Sequence, residues 1–311
     1  MKTSPRKKDQ VFGFLDELRA SAITLSILCS VDALKFYHTL LTENFPKLRN
    51  VLGKIPASKE YYQKGNPMVE IRHGFLTGST SMNGIIEALK DKYGLRNHQY
   101  NFLTNVEDLS DRLIDKLQEV DEITTQERYG VTHSLGALTA LRASQKDSAL
   151  FQKLVTIAIP YYGSLNAFYF PLVSSLWQFR PDSPELALIH QQPLPKEVEI
   201  LNIYSPYDQI IRPYSNSILP ERENITNLCV PLGYYGPLSH NGLIYEKMVH
   251  QIIRFFLDEI PFDNKYLDLL SRRMKEKFPQ KDYLPCLEAL AESNIHLLNQ
   301  QQQKPKILLA S

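Results

Sequence analysis

Hydrophobic positions change their rhythm twice along this chain. In the first 65 residues Val11, Leu15, Leu18, Ala22, Leu25 and Leu28 recur at spacings of three and four, the stripe of an amphipathic helix. Pro46 and Pro56 punctuate the end of that region. From 66 to 260 short apolar runs alternate with helical patterns, which predicts βα units and a mostly parallel central sheet flanked by helices. The predicted strands are 68–72, 128–132, 154–158, 198–204 and 228–232. Residues 261–311 turn helical and polar again, basic around 272–277, and end in the glutamine run 300–303. The expected organisation is therefore an α/β domain over 66–260, with helical extensions at 1–65 and 261–311. No internal repeat is visible.

Composition narrows the function classes. Hydrophobic residues make up 43% and charged residues 22% of 311, as in an ordinary globular protein. A formal charge of +1 argues against a dedicated nucleic-acid binder. Cys29, Cys229 and Cys286 are far apart, with neither a disulfide framework nor metal-ligand spacing, which favours a reducing compartment. There the Asn224-Ile-Thr226 sequon carries no meaning. The apolar run 20–34 is shorter than the ~18 residues of a spanning helix, and Asp32 interrupts it. We expect neither a signal peptide nor a transmembrane helix, and a cytoplasmic or peripheral membrane location. Lys2, Arg6, Lys7 and Lys8, the stripe from Val11 to Leu28 and the basic stretch 272–277 suit either packing on the core or lying on an anionic lipid surface. No Gly-rich phosphate loop or His/Cys cluster appears, so neither cofactor nor metal is expected.

The strongest chemical signal is Tyr129-Gly-Val-Thr-His-Ser-Leu-Gly-Ala137. A strand-like run ends at Thr132, and a small-residue helix pattern (Ala137, Ala140, Ala143) begins just after Ser134. A serine on so sharp a strand-to-helix turn is exposed for attack, and its neighbours must be small. Gly136 meets that need on one side; Thr132 stands where glycine is usual on the other. The oxyanion formed by such a nucleophile needs donors. The backbone N–H of Leu135, at a helix N-terminus, is one candidate. Phe75, in the turn His73-Gly74-Phe75 after the first strand, is the second.

A serine nucleophile requires a base that works near neutral pH. Of eight histidines, His240 lies in the loop Gly236-Pro-Leu-Ser-His-Asn-Gly242, before a predicted helix over 244–257. His250 sits inside that helix among apolar residues and reads as packed. His133 neighbours the serine, so its side chain is expected to point away from the catalytic face. The orienting acid is Asp208, in the turn after the strand 198–204; Asp182 and Asp147 are weaker competitors. The order serine, acid, histidine is that of α/β-hydrolases and differs from trypsin-like and subtilisin-like enzymes.

These stretches resemble, in order, bacterial lipases and esterases of the α/β-hydrolase superfamily, close to small triacylglycerol lipases and PGAP1-like sequences. His73-Gly-Phe75 looks like the His-Gly oxyanion turn and Thr132-His-Ser-Leu-Gly136 like the nucleophile elbow. Tyr204-Ser-Pro-Tyr-Asp-Gln-Ile-Ile-Arg-Pro213 looks like the acid loop and Gly236-Pro-Leu-Ser-His-Asn-Gly-Leu-Ile-Tyr245 like the histidine loop. The segment 156–164 resembles the family's Thr-Pro-His-x-Gly-Thr stretch. The resemblance spans 66–260 and implies an α/β-hydrolase fold and cofactor-free hydrolysis of carboxylic esters of lipid-like acids. Thioesterase, phospholipase or acyltransferase chemistry, or an idle lipid- or protein-binding scaffold, are the alternatives. Arg72 departs from the family's apolar residue before His-Gly, and Tyr161-Tyr162 from its His-Arg-like pair. Finally, 165–195 reads as a lid-like insertion. Its aromatics, Phe168, Phe170 and Trp177 above all, are the candidates for lining an acyl site.

Overall fold

The computed structural model describes residues 66–75, 77–121, 127–169, 174–233 and 236–260. The expected extensions at 1–65 and 261–311 lie outside them. Among the described residues six parallel strands form one sheet: β1 (Met68–Arg72), β2 (Gly94–Asn97), β3 (Arg128–His133), β4 (Lys153–Ile157), β5 (Glu199–Tyr204) and β6 (Ile225–Cys229). Their spatial order is β2-β1-β3-β4-β5-β6. The helices are α1 (Asn83–Leu89), α2 (Val106–Asp121), α3 (Leu135–Lys146), α4 (Pro184–Gln191), α5 (Gly242–Tyr245) and α6 (Lys247–Leu257). A two-residue hairpin, β7 (Leu232–Gly233) with β8 (Gly236–Pro237), leads into α5.

Both faces of the sheet are covered, which explains why its strands read as apolar runs. Val69, Ile71, Val131, Val155, Ile157, Leu201 and Ile203 pack with Ile85 and Leu89 of α1 and with Val249, Ile253 and Phe256 of α6. Leu154 and Ile200 face the other way, with Leu109, Leu113 and Leu117 of α2, Leu138 and Leu141 of α3, and Leu186 of α4. Local signals set the helix starts. Asn105 Oδ1 accepts the Asp108 N–H at 2.8 Å before α2, and Ser183 Oγ accepts the Leu186 N–H at 3.3 Å before α4.

A polar row crosses this second face. Arg72, Thr132, Thr156, Asn202 and Asn227 are successive register partners from β1 to β6. Thr132 Oγ1 donates to the Val155 carbonyl at 2.8 Å, and Thr156 Oγ1 to Asn202 Oδ1 at 2.9 Å. The Asn202 amide donates to Asn227 Oδ1 at 2.8 Å and to the Ser217 carbonyl at 2.7 Å. The buried threonine hydroxyls and the Asn202 amide are thus hydrogen-bonded, as buried polar groups generally are.

Four strands match the sequence reading within one residue. The last is displaced: residues 225–229, and not 228–232, pair with β5. The edge strand β2 was not anticipated. The single helix expected over 244–257 is two, because Glu246 is extended and its side chain accepts the Met248 N–H, starting α6 afresh.

Candidate active site

The strand order reverses direction between β1 and β3, so the connections leaving their carboxyl ends diverge and open a crevice there. Into that crevice project Arg72-His73-Gly74-Phe75 from β1 and His133-Ser134 from β3. Ser134 joins β3 to α3 at φ 53, ψ −117, a conformation that non-glycine residues rarely adopt and that is held only where the surroundings impose it. The imposing contacts are visible. The Ser134 N–H donates to the Ile157 carbonyl at 2.9 Å, and its own carbonyl accepts from Ala137 and Leu138. A Cβ on Gly136 would meet the His73 carbonyl oxygen at 2.5 Å, so only glycine lets α3 start so close to the β1 exit. Leu135 opens α3, and the first N–H groups of a helix have no acceptor within it.

The β1 exit is itself clamped. The Tyr100 hydroxyl donates to the His73 carbonyl, and the two rings stack at 4.1 Å and 11°. The Arg72 guanidinium lies 4.4 Å above the same half-buried tyrosine ring and 3.4 Å from Glu70, the arginine and the glutamate both buried. Arg72 reaches a partner set of its own. Burial holds the His73 imidazole neutral, pulling its pKa down to about 3. The Phe75 ring packs edge-on against Phe102 and Phe179, 5.0 and 5.6 Å away, fixing the next residue of the turn.

Asp208 follows β5 on the turn Ser205–Asp208 and is 1% exposed. Its Oδ1 accepts the Ile210 and Ile211 N–H groups, both at 2.8 Å. Its Oδ2 accepts from His240 Nδ1 at 2.6 Å. A carboxylate only accepts, so this contact places the proton on Nδ1 and leaves Nε2 a lone pair. The histidine loop is tied to the acid loop twice more: the His240 N–H donates to Gln209 Oε1 at 3.2 Å, and Ser205 Oγ to the Leu238 carbonyl at 2.6 Å. Ser205 and Gln209 lie in the acid-loop stretch that the sequence points to, but sequence reading gives neither a role of its own.

His133 departs from expectation. Its ring does not leave the site but lies 4.8 Å from the His240 ring, with Nε2 3.3 Å from the His240 carbonyl. His250 is packed as expected, its Nε2 2.8 Å from the Ile244 carbonyl. Asp182 is exposed and Asp147 caps the end of α3. The Asn224 amide of the sequon donates to the Pro195 and Val198 carbonyls at 2.8 and 2.6 Å.

The loop after β4 is stitched to the acid loop. Ser164 Oγ donates to the Ile210 carbonyl at 2.6 Å, and the Asn166 amide donates to the Gln209 carbonyl at 2.8 Å. Two short 3-10 turns follow, Leu165–Tyr169 and Ser174–Phe179. Phe168 and Trp177 are 43% and 48% exposed, with the Arg180 guanidinium 5.1 Å from each ring. Phe170 lies outside the described residues. Among those residues no helix is long and apolar enough to cross a membrane.

No protein-family model matches the chain, and no curated protein sequence does. Solved structures do. The chain is similar to lipase B of Aspergillus fumigatus (TM-score 0.54, 16% identity, 79% of this chain and 65% of that one). It is also similar to the mature lipase BlEst2 of Bacillus licheniformis (TM-score 0.52, 14% identity, 65% of this chain and 96% of that one). With a parallel sheet covered on both faces and neighbours of this kind, the chain has the α/β-hydrolase fold.

Proposed function

We propose that the protein is a serine hydrolase that cleaves carboxylic esters of lipid-like acids through an acyl-enzyme. The observation that carries the reading is the buried 2.6 Å contact between Asp208 and His240 Nδ1, taken together with the positive φ of Ser134. In this mechanism His240 Nε2 takes the Ser134 proton while Oγ bonds to the ester carbonyl carbon. The oxyanion that develops is met by the N–H groups of Leu135 and Phe75, a helix N-terminus and a clamped turn. The alcohol leaves with the proton from His240, and water repeats the sequence to release the acid. Asp208 holds the imidazole tautomer and stabilises the imidazolium. Of the lid-like segment 165–195, the exposed rings of Phe168 and Trp177 are the described candidates for meeting the acyl chain.

The test is a fluorophosphonate probe together with p-nitrophenyl esters of graded chain length, beside thioester and phospholipid substrates. Wild type should label and hydrolyse; Ser134→Ala should do neither. Equal labelling of the two proteins would overturn the assignment, and preference for thioesters or phospholipids would move the substrate class within it.

A further inference from the structure

We infer that His133 is a positioning residue for the base, a neutral imidazole that holds the main chain of His240 against the nucleophile turn. The inference rests on the reading of His240 as general base and extends it. Three contacts carry it. His133 Nε2 lies 3.3 Å from the His240 carbonyl oxygen, and a carbonyl can only accept, so Nε2 bears the hydrogen. The two rings lie 4.8 Å apart at 50°. On its other side the ring meets Gly74, where an added Cβ would sit 2.8 Å from Nδ1. One side chain, 1% exposed, thus touches both the turn after β1 and the histidine loop, and its own backbone leads directly into Ser134.

The chemistry of that position favours an uncharged ring. Burial, and then the neighbouring His240, hold the His133 imidazole well below its ordinary pKa. It therefore stays neutral while His240 carries the transferred proton, and adds no repulsion to the imidazolium. Among the described residues Nδ1 has no hydrogen-bond partner, so the link to the histidine loop runs through Nε2 and the shape of the ring. The link also shares the alignment of His240 between two supports. Asp208 fixes the ring from Nδ1, and His133 fixes the backbone from which the ring hangs.

The experiment compares His133→Gln, His133→Asn and His133→Leu with wild type and Ser134→Ala on p-nitrophenyl butyrate. Rates are normalised to active sites titrated with a fluorophosphonate. A glutamine amide reaches about as far as Nε2, an asparagine amide only as far as Nδ1. We expect His133→Gln to keep kcat within about threefold, and His133→Asn and His133→Leu to lose at least tenfold in kcat with KM within twofold. A residue that merely fills space would lower melting temperature and titrated sites, and leave kcat per site unchanged. Equal kcat per site in all three variants, or a glutamine variant as impaired as leucine, overturns the inference. Should the leucine variant not fold, the glutamine–asparagine pair still separates the two roles: a glutamine variant no faster per site than the asparagine one overturns the inference. An active Ser134→Ala protein would sink the parent reading, whereas an inactive one beside unimpaired His133 variants would sink this inference alone.

Discussion

A Cβ on Gly136 would stand 2.5 Å from the carbonyl oxygen of His73, so the first turn of α3 rests directly on the segment leaving β1. The same methyl would also press on the Arg72 backbone at 2.9 Å. Backbone atoms on both sides cannot rotate aside. Gly136→Ala should therefore destabilise by about 1–3 kcal/mol, the usual cost of overpacking, and push the two proposed N–H donors, Leu135 and Phe75, apart. Thermal unfolding and fluorophosphonate labelling should fall together; unchanged labelling would show that the donors are elsewhere.

Asp208 serves two groups through different oxygens, and substitutions can separate them. Asparagine keeps Oδ1 for the Ile210 and Ile211 N–H groups; alanine does not. Asp208→Asn is expected to melt near wild type with kcat lower by about 10⁴-fold, as in a comparable triad. Asp208→Ala should lose activity and, in addition, about 1–3 kcal/mol of stability from two unsatisfied N–H groups. An active Asp208→Asn protein would remove Asp208 from the reaction.

Three buried imidazoles tie stability to pH. His73, His133 and His250 all have pKa values lowered chiefly by burial, His73 to about 3. Each is neutral in the fold but takes a proton near pH 6.5 when unfolded. Their contribution is complete above about 6.5 and is lost as pH falls toward the folded values, at up to about 1.4 kcal/mol per pH unit for each group. Glu70 opposes this, since burial raises its pKa. His250 is the cleanest probe. His250→Gln, which can still reach the Ile244 carbonyl, should lose less stability to urea between pH 7.5 and 5 than wild type. Identical slopes would mean that His250 protonates within the fold.

Trp177 is 48% exposed and meets the Arg180 guanidinium, a contact worth about 0.5–1 kcal/mol at such a site. Trp177→Ala should leave the melting temperature nearly unchanged. If the ring lines an acyl site, the substitution should also flatten the dependence of kcat/KM on ester chain length, each buried methylene being worth about 0.8 kcal/mol. A large drop in melting temperature with uniform loss on all esters would assign the ring to the core.

The central strands were legible because burial on both faces writes apolar runs, and the strand-to-helix turn at Ser134 because so tight a turn demands small neighbours. What escaped notice has identifiable causes. β2 is an edge strand of four residues whose apolar content is Leu95, while Arg96 and Asn97 are turned to other partners. β6 carries Thr226 and Asn227 in its interior, so the apolar weight shifted to the residues after it. Glu246 reads as a helix former, and only its capping bond shows the break. For His133 the alternation argument was sound but incomplete. The side of β3 away from the serine is the side of Val131, where α5, α6 and the histidine loop lie. Thr132, which breaks the usual glycine pattern, is accommodated by the carbonyl of Val155.

The polar row beneath the serine turn has a consequence for how the sheet finds its pairing. Parallel strands of Val, Leu and Ile look alike to one another, and apolar contact alone would tolerate neighbours shifted along their length. A slip of one residue turns every side chain to the opposite face. Here it would carry Asn202 into the layer of Val155, Ile157, Ile203 and α6, away from Thr156, Ser217 and Asn227. A buried amide with no partner costs roughly 1–3 kcal/mol, and its former partners are left unmatched as well. The row thus acts as a checksum on strand alignment, read two residues before the chain commits Ser134 to its turn.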